Sequence, residues 1–258
     1  MKRRISMRIL LKPFHILYVI YAFILFVVLM IPVFVWSLIV LPLGKIKGGN
    51  LIYAGCMVWA DIWFLLIFIW HRNIYLEEPD DDDSYIFVSN HISYLDSAII
   101  PKTFRHPLRP LGKVEMSKIP IFGFIYRNTI VTVDRSSSAQ RSKSVQQLVS
   151  VLRKGISILV FPEGTFNTTE QPLKDFYDGA FRIAIETQTP IKPVLLLDSY
   201  ARMNYKTIFS LNPGRSRSLF LPHVPVEGLT LDDVGVLKEK VFGEMKRALI
   251  EYGAKWGR

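Results

Sequence analysis

Residues 14–43 contain no Asp, Glu, Lys or Arg, and residues 51–70 form a second apolar run broken only by Asp61. The first run exceeds the roughly 20 residues that a helix needs to span a bilayer. Pro32 and Pro42 are expected to kink or end it, and Gly44-Lys45-Ile46-Lys47-Gly48-Gly49-Asn50 reads as the turn between two helices. Trp59, Trp63 and Trp70 suit a membrane interface. After residue 84 the pattern changes to short apolar runs alternating with amphipathic ones. Strands are expected at Tyr85–Val88, around Arg109–Leu111, at Thr129–Val133, Ile156–Phe161 and Ile191–Leu197, and at Ser218–Leu221. Helices are expected over 138–154, with Val145, Leu148, Val149 and Leu152 on one face, and over 178–188. The last helix starts at Thr230, where Thr230-Leu231-Asp232-Asp233 is a variant capping box and Leu229 with Val234 a candidate staple. Its buried stripe is Val234, Leu237, Val241, Met245 and Leu249. Strands alternating with helices give an α/β fold with a mainly parallel or mixed sheet, preceded by a two-helix membrane motif.

Charge sharpens this division. Residues 1–72 hold eight Lys or Arg against one acid, Asp61, while residues 73–258 hold 24 against 21. The basic excess therefore lies with the apolar helices, which points to an anionic membrane surface rather than nucleic acid. Lys2, Arg3, Arg4, Arg8 and Lys12 precede the first run, so both ends of the helix pair are expected on the cytoplasmic side of the cell membrane. The run is too long for a cleaved signal peptide. Two arrangements are open: a hairpin that crosses the bilayer, or a pair that dips into one leaflet. Asp61 reads either as a functional group or as a hydrogen bond within the bundle. Glu77–Asp83, with four consecutive aspartates, reads as a solvated linker. The expected divisions are helices over 1–72, linker over 73–84 and a catalytic domain over 85–258. The lone Cys56 excludes an internal disulfide and lies in an apolar run, and no Cys/His set has zinc spacing.

The candidate chemistry begins at Asn90-His91-Ile92-Ser93-Tyr94-Leu95-Asp96. On one continuous helix, five residues turn roughly 500° and leave two side chains about 140° apart. His91 and Asp96 can therefore meet only across a bend, and Ser93 as an N-cap supplies one. A carboxylate behind an imidazole makes a general base near neutral pH. The same residues also read as a plain helix cap and an ordinary loop histidine. A second block, Phe161-Pro162-Glu163-Gly164-Thr165, leaves the most apolar strand at its carboxyl end, where ligands bind in open α/β sheets.

The two blocks together resemble the glycerolipid acyltransferase family, typified by 1-acyl-glycerol-3-phosphate acyltransferases. Its ordered motifs are similar to Asn90-His91 with Asp96, to Lys113 with Pro120-Ile121-Phe122-Gly123 and Arg135, to Phe161–Thr165, and to Pro190–Val194, so residues 85–197 carry the resemblance. The resemblance implies transfer of a fatty acyl group from acyl-CoA or acyl carrier protein to a hydroxyl of a lysophosphatidate-type lipid, in phospholipid synthesis. No cofactor is implied beyond that thioester co-substrate. His91 would accept the hydroxyl proton and Asp96 would orient it. Lys113, Arg135, Glu163, Gly164 and Thr165 would bind substrate, with backbone N–H groups near Gly164 as an oxyanion site. No G-x-S-x-G occurs, so direct attack without an acyl-enzyme is expected. One departure stands out: Phe166-Asn167 follows Glu163-Gly164-Thr165, where the family often has Arg and Ser. That leaves other single-chain acceptors open, an acylated amino acid or a lysophospholipid with a larger headgroup. A hydrolase, or a non-catalytic lipid-binding protein of the same fold, are the alternatives outside the class. The sequon Asn167-Thr168-Thr169 reads as chance on a cytoplasmic domain.

Overall fold

The computed structural model describes residues 7–80, 82–134 and 138–256. Two helices lead the chain, α1 (Met7–Val40) and α2 (Gly44–Leu66). Only the 3-10 turn Leu41–Leu43 separates them, with Pro42 inside it. Gly44–Asn50, expected as the turn, is already helical, and Pro32 stays inside α1 without ending it. Gly48 and Gly49 are there for space. A Cβ on Gly48 would lie 2.7 Å from the Val40 carbonyl oxygen, and one on Gly49 2.8 Å from that of Asn128.

Indole and phenol groups tie the pair together. Trp63 Nε1 donates to the Ala22 carbonyl at 2.9 Å and Trp36 Nε1 to that of Leu51 at 2.9 Å. Trp59 and Trp63 stack on each other and are buried, so these two do not form the expected interfacial belt; Trp70 is exposed. Asp61 receives Lys102 Nζ at 2.6 Å and Arg105 Nη2 at 2.8 Å, which makes it a cross-brace between α2 and the helix that carries Lys102.

A seven-stranded mixed sheet follows, in the order β1-β7-β6-β2-β5-β3-β4. Its strands are β1 (Ile69–Tyr75), β2 (Ile86–Ser89), β3 (Arg109–Lys113), β4 (Val131–Val133), β5 (Ile158–Val160), β6 (Ile191–Leu196) and β7 (Gly214–Phe220). The four strands β2 to β5 run parallel with β6, β7 pairs antiparallel to β6, and β1 pairs parallel to β7. The sheet therefore starts at Ile69, inside the segment expected to be membrane helix and linker. Burial explains the central order: β2, β5 and β6 are buried at every position. Apolar runs of this kind fit strands covered on both faces.

The covering helices are α3 (Asp96–Thr103), α4 (Phe122–Thr129), α5 (Ser138–Leu152), α6 (Gly179–Thr187), α7 (Ser199–Arg202) and α8 (Val234–Glu251). The main core lies under α5, α6 and α8, and it includes Val234, Leu237, Val241, Met245 and Leu249, the stripe expected from the sequence. The Thr230 N–H donates to Asp233 Oδ2 at 2.8 Å, so the capping box forms. A second core joins α1 and α2 to β1, α3 and α4, through Val33, Trp63, Ile69, Ala98 and Ile125. The helix pair is thus packed onto the sheet domain. Thr129, expected at the start of β4, closes α4 instead, and α4 lies in a stretch expected to be turn-rich.

Candidate active site

The parallel strands β2, β5, β3 and β4 all end on one edge, so the segments after them share it. Val88 pairs with Val160, and Lys113 with Val133. His91 follows β2, Glu163 follows β5, and Lys113 ends β3 on this edge. Arg135, two residues beyond β4, lies outside the described residues.

At the end of β2 a side chain takes over the ladder. Buried Asn90 accepts from the Leu196 N–H at 2.8 Å and donates back to its carbonyl at 3.3 Å. The chain then bends. Asp96 opens α3, fully buried, and its Oδ2 collects three donors: His91 Nδ1 at 2.8 Å, and the N–H groups of Ile92 and Ser93, each at 2.9 Å. The bend is the one the spacing demanded, but Ser93 is not its cap. The helix begins three residues later, and Ser93 Oγ accepts from the Leu95 N–H and donates to the Met203 carbonyl. Because Asp96 holds Nδ1, Nε2 is the nitrogen left for substrate. The ring is about a quarter exposed, at 24%.

Phe161 stacks on the imidazole with centroids 4.2 Å apart, and Phe166 meets it at 4.4 Å and 62°. Tyr94 packs edge-on against Phe166 at 4.9 Å. The loop carrying Phe166 is pinned by its neighbour. The Asn167 N–H donates to the His91 carbonyl at 2.7 Å, and the buried Asn167 side chain bonds Gln171 and Thr169.

Glu163 lies beneath, with no exposed surface. One carboxylate oxygen accepts from the His91 N–H at 2.8 Å and the other from the Lys174 N–H at 3.0 Å. Both oxygens are thereby committed to backbone, and Glu163 braces the two loops rather than facing substrate as the resemblance implied. Burial pushes its carboxyl up to about 7, against the opposing pull of the His91 and Lys174 N–H groups. Gly164 makes the turn with φ of 71°, a left-handed conformation that favours glycine. Its N–H donates to the Phe161 carbonyl at 3.0 Å, so that donor is committed to the turn and does not serve an oxyanion. Thr165 is exposed, and its Oγ1 accepts from Lys174 Nζ at 3.0 Å. Lys113 is exposed, and its carbonyl accepts from the Tyr126 hydroxyl at 3.1 Å.

Beside the turn is a mostly apolar cavity of about 510 Å³, lined by Leu111, Val133, Val160, Phe161, Leu148 and Ile183 among others. It runs from the ends of β3–β5 under α5 and α6, and Phe161, which stacks on His91, lines it.

The sequence pattern does not set apart Lys174, nor the roles of Asn90 in the ladder and of Phe161 as a stacking partner. Asn90 precedes the histidine and Phe161 opens the second block, so both were in view; Lys174 carried no local signal.

The site thus joins a carboxylate-held imidazole, at the carboxyl edge of an open α/β sheet, to a nearby apolar cavity, a place where ligands bind in such sheets. Residues 71–197 match the family model described as Acyltransferase. Human 1-acyl-sn-glycerol-3-phosphate acyltransferase alpha is 31% identical over 159 residues, which cover 61% of this chain and 56% of the human one. A Caenorhabditis elegans protein provisionally named a 1-acyl-sn-glycerol-3-phosphate acyltransferase is 30% identical over 190 residues, covering 70% of this chain and 67% of its own. The chain thus matches a little over half to two thirds of the length of these relatives. The crystal structure of PlsC, the 1-acyl-sn-glycerophosphate acyltransferase from Thermotoga maritima, shares the fold, with a TM-score of 0.75 over 97% of this chain and all of that one, at 20% identity. The chain belongs to the acyltransferase family.

Proposed function

We propose that this protein is a membrane-bound O-acyltransferase that moves a fatty acyl group from a thioester, acyl-CoA or acyl carrier protein, to the hydroxyl of a lysophosphatidate-type lipid. The observation that carries the reading is the His91–Asp96 pair, 2.8 Å apart and backed by two further donors to the same carboxylate oxygen. Nε2 of His91 takes the proton as the lipid oxygen attacks the thioester carbonyl. Asp96 fixes the tautomer and stabilises the imidazolium. The carbon–sulfur bond then breaks, and the imidazolium returns its proton to the departing thiolate. No enzyme nucleophile is needed. The apolar cavity beside Phe161 suits an acyl chain, Lys113 at the same edge suits a phosphate, and the resemblance gives Arg135 the same role.

The helix pair suits an in-plane seat in one leaflet better than a full crossing. His15 Nε2 lies 2.8 Å from the Phe209 carbonyl, and Phe34 packs on Phe124 at 5.4 Å. These two anchors are 19 residues apart, about 28 Å along the helix. Along that length α1 touches the sheet domain at both ends, while Leu17, Ile24, Val28, Ile31 and Val35 stay exposed on it. An apolar face of that extent on a helix laid against its own domain fits acyl chains. With basic residues ahead of α1, the domain would face the cytoplasm at the cell membrane.

The test uses detergent-purified protein, labelled acyl-CoA or acyl carrier protein thioester, and a panel of single-chain acceptors. Lysophosphatidate should yield a diacyl product, and His91→Ala should lower the rate by on the order of a thousandfold with the fold retained. Near-normal turnover in that variant would sink the base assignment. Free fatty acid released independently of acceptor would move the protein to the hydrolases. Product with another acceptor alone would keep the chemistry and change the substrate.

A further inference from the structure

The loop after β5 carries two side chains of opposite character, Phe166 and Lys174. Phe166 lies against the imidazole at 4.4 Å, so the position next to the base is apolar. Lys174 enters from the other end of the same loop. Its N–H donates to one oxygen of Glu163, whose other oxygen accepts from the His91 N–H. The backbones of His91 and Lys174 therefore hang from the two oxygens of one buried carboxylate. Lys174 Nζ then reaches Thr165 Oγ1 at 3.0 Å. An ammonium carries three donors. A neutral hydroxyl takes one, and among the described residues no carboxylate lies within ion-pair distance of Lys174. The result is a solvent-exposed contact between an ammonium and a hydroxyl, on the turn that carries Phe166.

We propose that Lys174, with Thr165 beside it, binds the anionic group of the lipid acceptor, a phosphate or carboxylate, while Phe166 keeps that group off the imidazole. The assignment rests on the acyl-transfer reading. In a lysophosphatidate-type lipid two carbons separate the reacting hydroxyl from the phosphate oxygen. The acceptor's anion must therefore fall near the histidine but not on it. The Lys174 backbone is held by its N–H bond to Glu163, and its ammonium meets Thr165, the residue before Phe166. The anion has a second conceivable source, the phosphates of a CoA donor, and the experiment separates the two.

Full-length protein in detergent is titrated with an unreactive lysophosphatidate lacking its free hydroxyl, with its phosphate-free counterpart, and with coenzyme A. Wild type should bind the anionic lipid more tightly than the neutral one. Lys174→Met should weaken the anionic lipid by about tenfold to a hundredfold and leave the neutral lipid and coenzyme A within about twofold. Lys174→Arg should keep most of the affinity. Equal weakening of both lipids would make Lys174 a support of the turn only. A loss confined to coenzyme A would move the anion to the donor, and no charge preference in wild type would end the proposal. Transfer from the labelled thioester, followed in parallel, judges the wider reading separately. Charge-selective binding lost in Lys174→Met, without any transfer by wild type, would sink the enzyme and keep the site.

Discussion

Glu163→Gln tests whether the catalytic loop rests on a carboxyl group whose ionisation works against the fold. Burial raises the Glu163 carboxyl from its ordinary value of 4.5 to about 7. The folded protein therefore holds a proton that the unfolded chain gives up, across the window from about pH 4.5 to 7. Folding is favoured most at the acid end of that window, and the stability declines as pH rises through it, because charging the buried group costs about 1.4 kcal/mol per pKa unit. Between pH 5 and pH 8 the two-state expression for one such group gives about 2.5 kcal/mol of lost stability. Glutamine keeps the shape and removes the charge. It has one acceptor oxygen for the two N–H groups of His91 and Lys174, so the variant should be less stable than wild type by about 1–3 kcal/mol at pH 5. At pH 8 the wild-type penalty offsets that loss, and the gap should close or reverse. At about 2–4 °C per kcal/mol for a chain of this size, the melting difference should narrow by roughly 5–10 °C from pH 5 to pH 8. The difference between variants is the quantity to follow, since other groups titrate in both. Glu77, for instance, is held down to about 2 by its hydrogen bond from Lys192. Melting of both proteins in the same detergent at several pH values reads it directly. A gap independent of pH would refute the reasoning, because it would mean that Glu163 ionises in the folded state as easily as in water.

Asp96→Asn should lower kcat by on the order of a hundredfold or more with little change in KM, because one amide oxygen cannot replace a charge shared by three donors; steady-state rates within about fivefold of wild type would remove Asp96 from the mechanism. Phe166→Leu deletes the aromatic edge on the imidazole, a contact worth about 0.5–1.5 kcal/mol, and should cut kcat by about 2–10-fold, with Phe166→Tyr restoring most of it. An unchanged kcat in the leucine variant would show that Phe161 alone holds the ring.

The elements that the sequence displayed, and those it hid, differ in how their ends are made. The strands β2 and β5 are short apolar runs bounded by Pro, Gly or polar residues, and α8 carries a capping box and a clean 3.6-residue stripe. Their boundaries are chemical and visible. The break between α2 and β1 falls at Phe68, which adopts φ of 56°, and α4 begins after Ile121, at φ of 62°. Both are left-handed positions filled by bulky apolar residues, where glycine is the expected marker. Apolarity runs unbroken through Phe68, so the edge strand Ile69–Tyr75 reads as a continuation of the helix before it. At Ile121 the fold holds the strained residue by what surrounds it: α4 packs back on α1 and α2, and the Gly123 N–H donates to the Ile119 carbonyl at 2.7 Å. Local pattern cannot announce a boundary that only tertiary packing stabilises.

The site divides along the same line. His91 and Asp96 are five residues apart, so the geometry that unites them is written within one bend and could be worked out from helix angles. Glu163 touches His91 across 72 residues and Asn90 touches Leu196 across 106. The motif made Glu163 conspicuous and implied substrate as its neighbour, but not the two backbone N–H groups that it meets. The physical reason is that a short acidic side chain after a proline can turn outward to a ligand or inward to a loop, and only the sheet register decides. Val88 opposite Val160 sets the two loops side by side, and from there the inward turn gives the carboxylate two donors that no solvent-facing rotamer would meet. A carboxylate used in this way has more to do with where His91 sits than with what meets its imidazole. Glu163→Gln should therefore alter stability with pH, while Lys174→Met should alter only the lipid that binds.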